Sequence, residues 1–447
     1  MAYLPHTDAE RRQMLGAIGV PTLEELFAAV PQAHRFPDLD LPEAVSELEI
    51  MAELQAMSEA NVDTQHFACF LGAGAYHHFI PSVVDHILRR NEFYTAYTPY
   101  QPEISQGTLQ ATFEYQSLMC HLTGMDVSNA SHYDGATALA EAVILALNHH
   151  RGKRREILLS PAIHPHYREV VRTYMQGMEV TIGGDESLGR GPADLARSVG
   201  QGTALVAVQY PDFLGRIEDF QGLADAVHAA GALLCVVANP LALGLLVPPG
   251  EFGADVVVGD GQPLGIPLSF GGPYVGIFTT KNEYVRKMAG RLVGETVDSR
   301  GQRGYVLTLT PREQHIRREK ATSNICTNQG LMALAAAVYL SQMGKTGLRR
   351  VAELCYHKAH YAARQLAGIA GYRLWSEAPF FHEFVVACPR PVAEINEHLL
   401  EYEILGGFDL GSVYPELRDH MLVAVTEMNS KDEIDDLAAA LKDVAHA

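Results

Sequence analysis

The sequence predicts an α/β protein whose core is a mostly parallel β-sheet buried between helices. From about residue 156 to residue 280, continuous apolar segments alternate with segments of helical periodicity. Strands of a sheet covered on both faces lack polar alternation, and these apolar segments lack it too. Glycine-rich turns follow the apolar segments, most clearly at residues 254–276. There, three consecutive valines at 256–258 precede the polar turn 259–262 and then a further strand.

The first sixty residues predict a helical arm. Thr7 and Glu10 have the spacing of a capping box. Pro42 stands where a first-turn proline would open the next amphipathic helix. We expect such an arm to pack on the body of the protein or on a partner.

Composition excludes several classes of function. The chain of 447 residues has 34 Lys plus Arg against 53 Asp plus Glu, and a net charge of −19 disfavours nucleic-acid binding. The N-terminus lacks a signal-peptide core, and the longest apolar stretch is interrupted by Asn239 and Pro240, so no membrane span is expected. Six scattered cysteines without a CxxC pair are typical of a reducing compartment. We therefore expect a cytoplasmic protein.

A metal site is not expected. The six cysteines offer no paired spacing for zinc. His77 and His78 are adjacent, and adjacent side chains point apart on a regular element.

Residues 93–107 form the most unusual segment of the first half. They contain three tyrosines, one phenylalanine and two prolines, which preclude a regular helix. Two interpretations remain equally open: a stiff structural loop, or a loop that reaches into a site or across an interface.

Two later features are candidate binding positions. Gly135, Ala136 and Thr137 open an alanine-rich helix, where N–H groups and a hydroxyl can hold an anion, although many unrelated helices begin in this way. His164 follows a strand end, where a flat cofactor ring could stack on it; a surface histidine is the commoner outcome. Residues 211–213, 239–240 and 260–263 all lie at the C-termini of predicted strands, so one cleft is expected to gather these three segments.

Arginine is dense near residue 310 of this acidic chain, at Arg300, Arg303, Arg312, Arg317 and Arg318. Such a patch suits contacts with carboxylate or phosphate groups. Internal ion pairs with the interleaved Glu313 and Glu319 are the alternative.

Five long segments resemble the glycine cleavage system P-protein family (glycine decarboxylase), specifically the α subunit, or subunit 1, of its split bacterial form. They are FLGAGAYHHFIP, FYTAYTPYQPEISQGTLQATFEYQ, LTGMDVSNASHYDGATALAEA, GDGQPLGIPLSFGGP and REQHIRREKATSNICTNQ. The resemblance covers nearly the whole chain. It implies the type I fold of pyridoxal-phosphate (PLP) enzymes, with a large doubly wound domain and a smaller C-terminal α/β domain. We accordingly expect an N-terminal arm at 1–60, the large domain at 61–325 and the small domain at 326–447.

The same resemblance implies where a cofactor would have been held. Gly135, Ala136 and Thr137 fall at the phosphate-binding turn, His164 at the ring-stacking position, and Asn239 where other enzymes carry an acidic partner of the pyridine nitrogen. An amide supplies no negative charge there. No lysine occurs between residues 254 and 280, where the family carries its Schiff-base lysine. We therefore expect a vestigial pocket with no catalytic residue in this chain.

The resemblance further implies a role in a complex. A homologous β subunit would carry PLP, in an assembly of two α and two β chains. The complex would decarboxylate glycine and pass the aminomethyl group to the oxidised lipoyl arm of H-protein. This chain is expected to form a wall of the β site through Tyr94, Tyr97, Tyr100, Glu103, Ser105, Arg303 and Arg312.

Two alternatives remain. The first is a purely structural or regulatory pseudoenzyme partner of a PLP enzyme. The second is a stand-alone PLP lyase that uses an unexpected lysine, such as Lys281 or Lys320.

Overall fold

The computed structural model describes residues 5–312, 314–325 and 327–446, apart from the side chains of Arg312 and His446. Internal packing divides the chain into two units, one ending at Val62 and the other beginning at Asp63. The helices are α1 (Asp8–Ile18), α2 (Glu47–Glu59), α3 (Ser82–Leu88), α4 (Asn91–Tyr94), α5 (Gln106–Thr123), α6 (Gly135–His149), α7 (Pro165–Met175), α8 (Pro192–Ser198), α9 (Gln221–Ala229), α10 (Gln314–Arg317), α11 (Gly330–Ala367), α12 (Val392–Leu400) and α13 (Lys431–His446).

The strands are mostly short, as is usual where helices connect them. They are β1 (Ala68–Cys69), β2 (Val127–Ser128), β3 (Glu156–Leu159), β4 (Thr181–Gly183), β5 (Thr203–Tyr210), β6 (Leu233–Ala238), β7 (Val256–Asp260), β8 (Gly276–Thr280), β9 (Leu292–Val297), β10 (Arg303–Thr308), β11 (Arg373–Leu374), β12 (Glu383–Ala387), β13 (Ile404–Leu405), β14 (Phe408–Asp409) and β15 (His420–Ala424).

The N-terminal unit is built from two capped helices. Thr7 and Glu10 form the predicted capping box of α1, with Glu10 N donating to Thr7 Oγ1 at 3.3 Å. Pro42 does not open α2, so that prediction is wrong. Ser46 and Glu49 form a second capping box, and it starts the helix at Glu47 because it satisfies the first N–H groups there. Neither helix has a buried residue.

The large sheet of the second unit confirms the predicted mostly parallel architecture. Its seven strands lie in the order β2-β8-β7-β6-β5-β3-β4. Strands β7, β6, β5, β3 and β4 run parallel, whereas β8 is antiparallel to both of its neighbours. Every residue of β6 is buried, because helices cover both faces of the sheet. The alanine-rich α6 packs one face in the same core as β3, β5, β6 and β7.

A second, four-stranded antiparallel sheet follows in the order β11-β12-β15-β14. It shares a core with α12, α13 and the C-terminal half of α11. The sequence predicts two helices where α11 lies, one from about residue 329 to 343 and one from 347 to 366. The structure breaks α11 at Gly344, whose φ of 58° and ψ of −177° are non-helical. The boundary proposed at residue 325 stays a prediction.

A β-hairpin, β9 with β10, stands beside α5. Leu109 on α5 packs with Val293 on β9 and Tyr305 on β10 in a small core of their own. In the part of the chain that the structure describes, no helix is long and apolar enough to cross a membrane.

Candidate functional site

A small cavity lies at the carboxyl ends of the parallel strands, the edge at which open α/β sheets bind ligands. Its volume is about 40 Å³, whereas sites for cofactor-sized molecules enclose roughly 300–1,000 Å³. The cavity therefore has space for little more than water. Rings and polar groups line it: Gly74, Tyr76, His164, Tyr167, Gln209, Val237, Ala238, Asn239, Pro240, Asp260 and Pro263.

The first turn of α6 carries Gly135, Ala136 and Thr137, the predicted phosphate-binding turn. Two carboxylates already accept hydrogen bonds from this turn. Asp134, the N-cap, accepts from Thr137 N at 2.7 Å, and Asp260 Oδ2 accepts from Gly135 N at 3.2 Å. Negative charge is favourable at a helix N-terminus, and here the chain itself supplies it.

The end of β7 lies directly against the start of α6. A Cβ added at Gly135 would come within 2.9 Å of Asp260 N and would also collide with the hydroxyl of Tyr167. This close approach requires glycine. A phosphate group at this turn would compete with Asp260 for the N–H of Gly135 and with Asp134 for the N–H of Thr137.

Asp260 links β7 to the helix. Its second carboxylate oxygen accepts from Gln262 N at 2.9 Å. Burial raises the pKa of Asp260 to about 7, and the nearby Asp134 acts in the same direction, against the two N–H donors that lower it. A second anion would therefore meet two carboxylates here.

His164 caps the N-terminus of α7. Its Nδ1 accepts from His166 N at 3.2 Å, and its Nε2 lies 2.8 Å from the carbonyl oxygen of Ala73, so Nε2 carries the proton. Burial lowers the pKa of His164 to about 4. The ring of Tyr167 stacks on the imidazole, with centroids 5.1 Å apart and planes at 27°. The position predicted for a cofactor ring is thus filled by the chain's own tyrosine.

Asn239 lines the cavity, but the oxygen of its side chain is hydrogen-bonded to the backbone of the following residues. The amide oxygen accepts from Leu241 N at 3.0 Å and from Ala242 N at 3.4 Å. Asn239 thereby closes the turn that follows β6, as asparagine commonly does.

The turn after β7 carries a buried glutamine and no lysine. Gln262 is 1% exposed. Its Nε2 donates to the carbonyls of Tyr76 and Ile266, and its Oε1 accepts from Tyr76 N at 2.9 Å.

The two candidate lysines lie elsewhere. Lys281 Nζ lies 2.5 Å from Asp255 Oδ1, next to the opposite end of β7. Lys320 lies in an exposed 3₁₀ helix. No lysine of the described residues lines the cavity.

These observations decide whether PLP fits this chain. Carboxylates already accept from N–H groups of the phosphate turn, the ring of Tyr167 stacks on His164, the cavity is small, and no lysine of the described residues lines it. In this conformation the residues do not fit the cofactor.

The segment from Gly72 to Phe79 forms the outer wall of the cavity and is held by two buried glutamates. Glu383 on β12 accepts from Ala73 N at 2.8 Å and from the Tyr76 hydroxyl at 2.7 Å. Burial raises the pKa of Glu383 to about 7.

The second glutamate, Glu427, holds the other end of the segment. It accepts from His78 Nδ1 and from Phe79 N, both at 2.7 Å, and from Cys355 Sγ at 3.2 Å. Burial favours a raised pKa for Glu427, but the hydrogen bond and charge of His78 outweigh it and leave the pKa at about 2. His78, Cys355 and Glu427 lie close enough to hold a metal ion, yet these hydrogen bonds already satisfy the carboxylate.

The tyrosine-rich segment lies on the surface: Tyr94 is the last residue of α4, and the rest of the segment forms the loop that leads to α5. Tyr94, Tyr97 and Tyr100 are 64%, 69% and 78% exposed, Glu103 is exposed, and Ser105 is the N-cap of α5. Exposed apolar patches are typical of interaction sites.

The structure brings this loop next to the arginine-bearing hairpin. Gln106, at the start of α5, donates to the carbonyl of Tyr305 at 2.9 Å and accepts from Tyr305 N at 2.8 Å. On the same strand, the guanidinium of Arg303 lies 5.8 Å from the centre of the Tyr305 ring. Arg312 ends the 3₁₀ helix Thr310–Arg312, and its side chain lies outside the described part of the chain.

Sequence reasoning placed Asp260 and Gln262 in the cleft, but it missed three other residues that line the cavity or hold its wall. Tyr167 stands three residues after His164, on the same helix face, so its spacing carried a signal. Tyr76 and Glu383 are 307 residues apart, and no local pattern connects them.

Known proteins resemble the chain over its full length. The family model described as "Glycine cleavage system P-protein" matches residues 1–441. A protein of Thermomicrobium roseum, named probable glycine dehydrogenase (decarboxylating) subunit 1, is 57% identical over 446 residues, 99% of each chain. A protein of the same name from Geobacillus kaustophilus is 53% identical over 448 residues, 99% of this chain and 98% of the relative.

Solved structures agree with the fold. A crystal structure of glycine decarboxylase (P-protein) of the glycine cleavage system, in inhibitor-bound form, superposes with a TM-score of 0.91 at 45% identity, covering 99% of this chain and all of the other. A sphingosine-1-phosphate lyase of Burkholderia pseudomallei shares the fold at a TM-score of 0.64 and 15% identity, covering 93% and 94%. These likenesses confirm the predicted type I PLP-enzyme fold. The chain belongs to the glycine cleavage system P-protein family.

Proposed function

We propose that this chain is the non-catalytic subunit of a two-subunit glycine dehydrogenase (decarboxylating). The observation that carries the proposal is the full-length similarity to relatives named subunit 1 of that enzyme. Their name implies a second subunit, and the small cavity of this chain, with no lysine of the described residues in its lining, supports placing the cofactor on that partner. The complex decarboxylates glycine and transfers the aminomethyl group to lipoyl H-protein, in the cytoplasm, as an assembly of two chains of each kind.

PLP, held by the partner, supplies the electron sink for the loss of CO₂. This chain contributes exposed aromatic and positively charged side chains to the partner's active site. Its exposed aromatic loop, with Tyr94, Tyr97 and Tyr100, is tied to the hairpin of Arg303 through Gln106. Tyrosines offer rigid contact area with a hydroxyl at the tip. Arginine offers paired N–H donors for a carboxylate or phosphate group. Together with Glu103, Ser105 and Arg312, these residues form one wall of the partner's active site.

Substitution of Tyr97 tests the role of this wall. In the co-expressed complex, we expect Tyr97→Phe and Tyr97→Ala to lower glycine decarboxylation. The alanine variant should lose about tenfold, which is the effect of losing about 1.4 kcal/mol of transition-state stabilisation. Tyr402→Ala is the matched control, because Tyr402 is also exposed, at 45%, and lies after α12. Size-exclusion chromatography reports whether the complex stays intact.

The alternative is a structural or regulatory partner that binds the PLP subunit without shaping its site. That role predicts full turnover whenever the complex forms. Loss of turnover in an intact complex supports the wall, and unchanged turnover for both Tyr97 variants supports the alternative. The positions of the two candidate lysines do not support a stand-alone lyase. Lys281 is paired with Asp255, and Lys320 is exposed and does not line the cavity.

A further inference from the structure

We propose that Asp260 and Tyr167 are built-in substitutes for the phosphate and the ring of PLP, and that these two side chains keep phosphate-bearing cofactors out of this chain. The inference rests on the proposed function only in taking PLP as the cofactor of the complex. It goes beyond the missing lysine, because PLP can bind a protein through its phosphate and ring without any covalent bond.

Asp260 does what a phosphate does at a helix N-terminus. Its two carboxylate oxygens accept from Gly135 N at 3.2 Å and from Gln262 N at 2.9 Å. Such N–H groups, together with the positive end of α6, are the donors that bind anions in this kind of turn. An incoming phosphate would have to displace the side chain of Asp260 and then face Asp134 as well.

Tyr167 fills the ring position from the same helix that supplies its stacking partner. It follows His164 by three residues, so both side chains lie on one face of α7. The centroids of the two rings lie 5.1 Å apart with their planes at 27°, and the centroid of the Phe213 ring lies 4.7 Å from that of the same imidazole, in an edge-to-face arrangement. The hydroxyl of Tyr167 extends to Gly135, where it would meet any added Cβ. One side chain therefore spans the distance from the ring position to the phosphate turn.

The carboxylate of Asp260 helps to keep the phenol of Tyr167 uncharged. Burial is the main cause that raises the pKa of Tyr167, and the carboxylates of Asp260 and Asp134 add to it, so the phenol stays neutral. A neutral ring against a neutral imidazole is compatible with the apolar wall formed by Val237 and Ala238. The cavity that remains, about 40 Å³, is what these side chains leave unfilled.

The test measures ligand binding to the full chain, alone and in its complex, with inorganic phosphate, pyridoxal and PLP as separate probes. For Asp260→Ala we expect a thermal midpoint that rises with the concentration of phosphate and with that of PLP. For the double variant Asp260→Ala/Tyr167→Ala we expect pyridoxal binding in addition. The wild type and the exposed-carboxylate control Asp225→Ala should respond to none of the three probes.

Several results would overturn the proposal. Saturable binding of phosphate or PLP to the wild-type chain is one. A folded Asp260→Ala variant with wild-type indifference to phosphate and PLP is another. If the alanine variant does not fold, Asp260→Ser carries the test, since one hydroxyl cannot accept from both N–H groups as the carboxylate does; indifference of that variant overturns the proposal too. These readouts do not involve glycine turnover, so they are independent of the outcome for Tyr97.

Discussion

Replacing Glu383 by glutamine should change how the stability of the protein depends on pH. Glu383 lies at the start of β12, is 6% exposed and holds the wall of the cavity through Ala73 N and the Tyr76 hydroxyl. Glutamine has the same shape. Its oxygen can accept from Ala73 N, and its nitrogen can donate to the hydroxyl oxygen, so both contacts survive the substitution.

The magnitude follows from the pKa of the wild-type carboxyl group. Burial raises it from 4.5 to about 7, the charge of Asp212 adds to the rise, and the hydrogen bonds from Ala73 and Tyr76 oppose it. Each pKa unit corresponds to about 1.4 kcal/mol, so this rise corresponds to about 3 kcal/mol. Because the folded state binds the proton more tightly than the unfolded state, stability from this group is greatest below pH 4.5 and is lost as the pH rises to about 7. Glutamine does not titrate.

The assay is urea unfolding of the full chain at about pH 5 and about pH 8, followed by the fluorescence of Trp375. The stability of Glu383→Gln relative to the wild type should increase by about 2 to 3 kcal/mol between these pH values. Glu377→Gln is the control, since Glu377 is exposed, and its pH dependence should follow that of the wild type. Parallel pH dependences for the wild type and Glu383→Gln would refute the reasoning.

Two further substitutions probe the close contacts of the fold. Gly135→Ala should lower the free energy of unfolding by about 1–3 kcal/mol, because its Cβ would press on the backbone of β7. The control is Gly222→Ala, which should not destabilise the protein because no atom lies within 4 Å of the added Cβ. Urea unfolding of the two variants compares them. Gln106→Ala should cost about 1–3 kcal/mol and reduce glycine turnover by the complex, because two hydrogen bonds to Tyr305 are lost. Gln110→Ala, which loses only a contact to the next turn of its own helix, should match the wild type in both measurements.

The sheet and its ligand-binding edge could be predicted from the sequence because both depend on local patterns. Runs such as that of β6 are apolar throughout, which is the signature of a strand buried on both faces. Residues that follow parallel strands meet at one edge, and of the three segments expected in one cleft two supply residues that line the cavity, through Asn239, Pro240, Asp260 and Pro263. The third segment, residues 211–213, does not line it.

The closure of that edge depends on contacts that no local pattern records. Tyr76 and Glu383 are distant in sequence and meet only because the second sheet packs beside the segment that carries Tyr76. The predicted start of α2 at Pro42 was wrong for a different reason. A proline is compatible with a helix start, but Ser46 with Glu49 supplies the hydrogen bonds that fix it. The roles of Tyr94, Tyr97, Tyr100 and the arginines stay predictions. The role of an exposed loop depends on what the partner subunit places against it, and the sequence of this chain does not contain that information.

The most direct measurement is borohydride reduction of the co-expressed complex in the presence of PLP, followed by peptide mass spectrometry. A cofactor carried by the partner predicts a pyridoxyl-lysine on that chain and none on any of the eight lysines of this one. A stoichiometric pyridoxyl label on Lys281 or Lys320 would contradict the non-catalytic role and would make this chain an enzyme in its own right.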